Sequence, residues 1–219
     1  MRLSFLKCSF ILALPGNGTA SYGQNTIFIE GKTLTYAVEY TAENIHIKDT
    51  ITLTPTGKPW HIDPEKQKEN VIAYPSAGLL DTSVFADLPS IGWVKADTTG
   101  FVENTEMCWI HPPRHNQYRI LELAPFPRVE YPLVAGRTYA RKLYIGDGWG
   151  ELSHTVVTWH YKIVGKVDGS WLISSRATPE YAPDEVNTLD FEFHPTAGFD
   201  KLEYKFSRGV AISMVQIGG

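Results

Sequence analysis

Val157-Thr158-Trp159-His160-Tyr161-Lys162-Ile163, followed at Asp168-Gly169 by Trp171-Leu172-Ile173, is the stretch whose reading decides the fold. Val157, Trp159, Tyr161 and Ile163 alternate with Thr158, His160 and Lys162, so a pleated strand turns one apolar and one polar face. Asp-Gly between two such runs is a strong two-residue hairpin signal, because the turn that matches strand twist needs positive φ at both central positions. The predicted unit is an antiparallel hairpin with one side to bury.

The same pattern extends in both directions. Leu34, Tyr36, Val38 and Tyr40 alternate with Thr35, Ala37 and Glu39. After the turn Thr41-Ala42-Glu43-Asn44, Ile45, Ile47, Ile51 and Leu53 alternate with His46, Lys48, Thr50 and Thr52. Toward the end, Leu189-Phe191-Phe193, Leu202-Tyr204-Phe206 and Val210-Ile212-Met214 are separated by Ala197-Gly198 and Arg208-Gly209. The spacing predicts a mainly β chain: one antiparallel meander sheet, strongly curved, half-barrel or sandwich-like, with at most one or two short helices. Aromatic residues make up 12% of the chain, which suits half-buried pleated surfaces.

The middle is less regular. Residues 55–100 mix Pro55, Pro59, Pro64, Pro75 and Pro89 with short apolar runs, predicting loops and short strands, with Thr82 to Leu88 as a short helix capped by Asp81 or Thr82. Pro112-Pro113 and Pro125 with Pro127 bracket a strand-like Tyr118 to Leu123. Prolines cannot donate to a ladder, so those segments read as connections or edges.

Residues 1–23 read as a secretory signal peptide: Arg2 and Lys7, then an apolar run from Cys8 to Leu14, the breakers Pro15-Gly16-Asn17-Gly18, and small residues before Gln24. The expected organisation is that leader followed by a single β domain over 24–219, exported to a periplasm or cell surface. Losing Arg2 and Lys7 leaves 18 basic against 24 acidic side chains. With no basic stripe to neutralise phosphates, nucleic acid is excluded as a partner. Cys108 remains as the one cysteine after residue 23, and between Met107 and Trp109 it reads as a small buried hydrophobe.

Sequence motifs exclude the familiar enzymes: a P-loop, a dinucleotide glycine fingerprint, paired zinc cysteines, His-Glu-x-x-His and Gly-x-Ser-x-Gly are all absent. His154 and His160, on one face of an expected strand, would lie roughly 20 Å apart, too far to share a metal. His111 and His115 flank Pro112, Pro113 and Arg114 with no nearby ligand pattern, so no metal and no cofactor is expected. Glu122 and Glu130 admit a glycosidase pair, although Glu122 between two leucines reads as an outward, solvated charge. Ser153 and His154 point to opposite faces if they share a strand.

Aromatic placement is the better guide to a site. Trp109, Tyr118, Phe126, Tyr131 and Trp149 crowd the second half with His111 and Arg114, and rings of this kind line apolar cavities or present flat platforms to sugars. Trp159 and Trp171 lie on apolar faces and read as core, whereas Trp149 in Gly146-Asp147-Gly148-Trp149-Gly150 reads as a loop residue. The predicted ligand-binding set is Trp109, His111, Arg114, Tyr118, Phe126 and Trp149.

Trp109-Ile-His-Pro-Pro-Arg114, Leu121-Glu-Leu-Ala-Pro-Phe-Pro127, Tyr131-Pro-Leu-Val-Ala-Gly136 and the ending from Gly198-Phe199 to Tyr204 resemble a family of uncharacterised secreted or lipoprotein-like bacterial envelope proteins, over roughly residues 100–210. That resemblance implies export and a β fold. In layout the chain is also similar to curved half-barrel periplasmic proteins that handle lipids or lipoproteins, which implies a concave apolar groove. The leading expectation is therefore a non-catalytic envelope protein holding an apolar or amphipathic ligand, with a mouth near residues 109–132. The alternatives are a surface module for carbohydrate or protein, and a hydrolase using His111, Arg114 and Glu122. Possible partners are a lipid, a glycan or another envelope protein.

Overall fold

The strand begun by alternation at Leu34–Ala42 is the first of twelve in the computed structural model, which describes residues 26–77, 79, 93–146, 153–180 and 182–219. The strands are β1 (Leu34–Ala42), β2 (Ile45–Pro59), β3 (Lys68–Ala73), β4 (Ala96–Glu103), β5 (Met107–Ile110), β6 (Arg128–Glu130), β7 (Thr138–Tyr144), β8 (Val156–Val167), β9 (Ser170–Pro179), β10 (Asn187–His194), β11 (Gly198–Lys205) and β12 (Val210–Gly218). All belong to one antiparallel sheet in the order β6-β5-β4-β3-β2-β1-β12-β11-β10-β9-β8-β7. From β1 in the middle the strands thus meander to one edge, cross to the other edge and meander back.

Turn chemistry explains the strand ends. Asp168 and Gly169 both take positive φ, 49° and 95°, between β8 and β9, as the hairpin signal requires. Glu43 at φ 33° begins the two-residue link from β1 to β2. In β2, Pro55 and Pro59 fall where the register with β3 shifts, and Gly57 there has φ 74°. A bulge tolerates prolines that a regular ladder would reject.

Inward side chains form one core. Leu34, Tyr36, Val38 and Tyr40 of β1, Ile51 and Leu53 of β2, Val157, Trp159, Tyr161 and Ile163 of β8, and Ile212 and Met214 of β12 are all buried in it. Cys108 is free and fully buried, as its apolar neighbours predict, and burial pushes its thiol pKa well up. At one end, the backbone N–H groups of Thr26, Ile27 and Phe28 donate to the Glu103 carboxylate at 2.7, 3.1 and 2.9 Å. That clasp lays Ile27 and Phe28 into the core, with Phe28 4.7 Å from the Phe101 ring.

One expectation is overturned in the connection from β5 to β6. Asn116–Leu123, expected to include a strand from Tyr118, is a 3-10 helix. The flanking prolines strip ladder donors, and local bonds take over, with Tyr118 N donating to His115 O and Ala124 N to Leu121 O. Tyr118, Leu121 and Ala124, three residues apart, are each 0% exposed. This helix crosses the inside of the curved sheet as a plug. Tyr118 Oη and Gln117 Nε2 donate to Asp49 of β2, Asn187 of β10 donates to Leu123 O, and Tyr161 Oη of β8 donates to Phe126 O. Strands from both halves of the sheet therefore close around it, and the interior near the expected mouth is occupied by the chain itself.

His154 is a second difference. It has φ 60° and precedes β8, so it does not share a strand with His160. The expected helix at 82–88, the leader at 1–23 and Trp149 lie outside the described residues.

Candidate functional site

β6 and β7 are consecutive in the chain and sit at opposite edges of the sheet. They nonetheless face each other. Arg137 donates through Nη1 to Glu130 O and Pro132 O at 2.9 and 2.8 Å, and Tyr139 Oη donates to Arg128 O at 2.7 Å. Glu130 also pairs with Arg128 and Arg141. The contacts run antiparallel, like a ladder, but side chains bridge what backbone bonds would otherwise close. The sheet is an almost closed barrel with a stitched seam. Arginines suit this role because their planar forks reach several carbonyl or carboxylate oxygens at once.

β7 outruns β6, which has three residues against seven. Past the stitches the seam opens into a cleft of about 270 Å³ lined by Trp60, Gln67, Trp109, His111, Glu122, Phe126, Leu143, Tyr144, Ile145 and Gly146. Each side arrives by a simple local cause. Trp109 is on β5, whose short ladder ends where Pro112 and Pro113 begin. His111 and Phe126 flank the plug, and their rings pack 4.6 Å apart. Trp109 lies 6.2 Å from Phe126, and Trp159 lies 4.5 Å behind it. Leu143 and Tyr144 end β7 and form the opposite bank.

The electrostatics are quiet. Among the described residues no lysine or arginine lines the cleft, and Glu122 is the one carboxylate that does. Burial lowers the His111 pKa to about 4, with Arg114 adding to the effect, so the ring is neutral at pH 7. Its Nδ1 lies 2.9 Å from Pro112 O and must carry the proton, because a carbonyl only accepts; Nε2 is then an acceptor. Behind the wall, Trp60 Nε1 and Gln67 Oε1 are buried with no hydrogen-bond partner among the described residues. Such groups cost about 1–3 kcal/mol each unless water or a ligand meets them. Gly100 lets both approach, since a Cβ there would lie 2.0 Å from Gln67 Oε1 and 2.6 Å from Trp60 Cε3.

Of the residues expected to bind a ligand, Trp109, His111 and Phe126 meet in this cleft. Arg114 does not line it; its Nε donates to Asp97 Oδ2 at 3.0 Å and its guanidinium sits 5.9 Å from the Trp60 ring centre. Tyr118 is fully buried, with its phenol on Asp49, and serves the plug. Glu122, read as a solvated outward charge, is half-buried and lines the cleft because the segment is a 3-10 helix. His111 and Glu122 thus share the cleft, whereas Arg114 acts on His111 only from outside its lining. Glu130 stitches the seam and lines no part of the cleft. Sequence reasoning missed Trp60, Gln67, Leu143 and Tyr144. Trp60 follows a proline in a stretch read as loop, and Thr138–Tyr144 carries Arg141 and Lys142 with no clean alternation, as an edge strand does. Among the described residues no group of three or more His, Cys, Asp and Glu side chains is placed to hold a metal, and no helix is long and apolar enough to cross a membrane.

No family model matches the chain, and no curated protein matches it. Among solved structures, a protein from Bacteroides fragilis described as exported, with a YmcC-like fold, aligns with 87% of this chain and 95% of its own length, at 8% identity and a TM-score of 0.39. A likeness at that level carries no inference about the site.

Proposed function

We propose that this chain is a non-catalytic, exported envelope protein that holds an amphipathic ligand by one end in the seam cleft. The observation that carries the reading is the meeting of Trp60, Trp109, His111, Phe126 and Tyr144 at the end of the seam past the stitches among the described residues. Small-molecule sites are concave, mostly apolar and furnished with a few polar groups. Here the rings supply the apolar wall, and Gln67, neutral His111 and Glu122 supply the polar points. A volume of about 270 Å³ suits a head group or a short chain end rather than an entire lipid. The filled interior moves the proposed site from the concave face of the sheet to its seam.

A glycan is the second reading, favoured by the flat rings beside a donor, Trp60 Nε1, and an acceptor, Gln67 Oε1, that have no partner among the described residues. Calorimetric titration with octyl glucoside below its micelle concentration, and separately with methyl glucoside and dodecanol, tests both. Saturable binding of octyl glucoside, weakened about tenfold by Trp109→Ala, supports the amphipathic site. Equal binding of methyl glucoside shifts the reading to glycan. Absence of saturable binding by all three probes overturns it, as does binding indifferent to Trp109→Ala and Phe126→Leu.

A further inference from the structure

The outer face of β7 to β10 carries a second concavity, independent of the seam cleft. Ladder register sets Ala140, His160, Arg176 and Thr188 in one cross-strand row, and Thr138, Lys162, Ser174 and Asp190 in the next. His160, Lys162, Ser174 and Arg176 are exposed, on the parity opposite to core residues Trp159, Tyr161, Ser175 and Ala177. Between the rows runs a groove of about 610 Å³ whose outward lining includes Thr138, His160, Lys162, Ser174, Arg176 and Thr188.

Its chemistry runs against the rest of the molecule. The chain has a formal charge of −4, yet no acidic residue among the described residues lines this groove. Basic side chains set opposite or diagonal to one another across a sheet repel, and sheets usually relieve this with an acidic neighbour. His160 and Arg176 are directly opposite, with Lys162 one step away, and none of the three has an ion pair among the described residues. On the same face Asp190 opposes Ser174, diagonal to Arg176, and makes no ion pair with it among the described residues. Glu180, beyond the end of β9, is taken by Lys142. Two fixed positive charges, an imidazole and three hydroxyl groups therefore line one groove.

We infer that this groove binds a phosphate monoester. The guanidinium of Arg176 offers paired donors to two phosphate oxygens, Lys162 supplies a point charge, and Ser174, Thr138 and Thr188 complete the oxygen shell. A volume well above that of a bare phosphate leaves room for the organic body that carries it. The same chemistry is presented by a soluble sugar phosphate and by the exposed head of a phosphatidic acid bilayer.

The full chain is titrated calorimetrically with glucose 6-phosphate at about 50 mM salt, and sedimented with phosphatidylcholine vesicles with and without ~30% phosphatidic acid. Saturable binding in either arm, reduced about tenfold by Arg176→Gln and by Lys162→Gln and falling with added salt, establishes the site. The arm that responds identifies the source. Lys48→Gln, a change to an exposed lysine paired with Glu39 on another part of the sheet, leaves binding intact. Both substitutions lie on solvent-facing positions, so circular dichroism of the variants matches the parent. Binding in neither arm overturns the inference. So does binding that survives the Arg176→Gln, Lys162→Gln double variant, or glucose binding as well as its phosphate. Octyl glucoside affinity at the seam cleft is unchanged in these variants, so failure here is separable from failure there.

Discussion

Tyr118 Oη donates to Asp49 Oδ2 over 2.6 Å, joining the inner plug to β2 across 69 residues of chain. Gln117 Nε2 reaches the same oxygen at 2.9 Å, and Thr50 N donates to Oδ1 at 2.7 Å, so this buried carboxylate has three donors. Burial, then the bond to Asp49, raises the Tyr118 pKa and keeps the phenol protonated as donor.

Tyr118→Phe removes the strongest of those bonds while preserving the ring. The expected loss is about 1–3 kcal/mol, because a buried charged acceptor loses a partner. Thermal unfolding measures it as a midpoint several degrees lower. An unchanged midpoint means that the plug is held by packing alone.

Acid weakens the fold through His111. Its pKa is lowered in the folded state to about 4, below the ordinary imidazole value near 6.5, so the unfolded chain binds the extra proton first. The stabilising contribution is complete above about pH 6.5 and is lost as pH falls toward 4, by on the order of 1–3 kcal/mol. Urea unfolding at a series of pH values shows this decline, and His111→Phe flattens it across the same window. A variant with the parental slope places the acid sensitivity elsewhere.

The seam opens before the ladders do. Tyr139→Phe deletes the bond to Arg128 O, and Glu130→Gln weakens the pairs with Arg128 and Arg141. Amide exchange in β6 and β7 rises in both variants while β1, at the centre of the sheet, keeps its protection. Uniform acceleration in all strands contradicts a local seam.

Gly100→Ala disturbs the cleft from beneath. The added methyl meets Gln67 Oε1, which is able to swing away, and the buried Trp60 ring, which is not. The expected cost is about 1–3 kcal/mol, with weakened octyl glucoside binding. Gly165→Ala has nothing within 4 Å of its new Cβ and serves as the control.

Alternation from Leu34 to Tyr40 and from Val157 to Ile163, with turns at Asp168-Gly169 and Arg208-Gly209, determined by sequence alone that the chain forms a one-sided antiparallel sheet. Pleat and turn are local: each residue's side depends only on its parity along the strand. That Trp109, His111 and Phe126 would lie near one another was legible because aromatics and a histidine crowd that region. Tertiary structure alone decided that β1 pairs with β12, that β6 and β7 meet through side chains, and that Asn116–Leu123 turns inward as a plug. It also decided that Asp49, on the inward parity of β2, is answered by Tyr118, and that Trp60 and Tyr144 complete the cleft. These outcomes depend on curvature summed over twelve strands and on partners far apart in the chain, which no local pattern records.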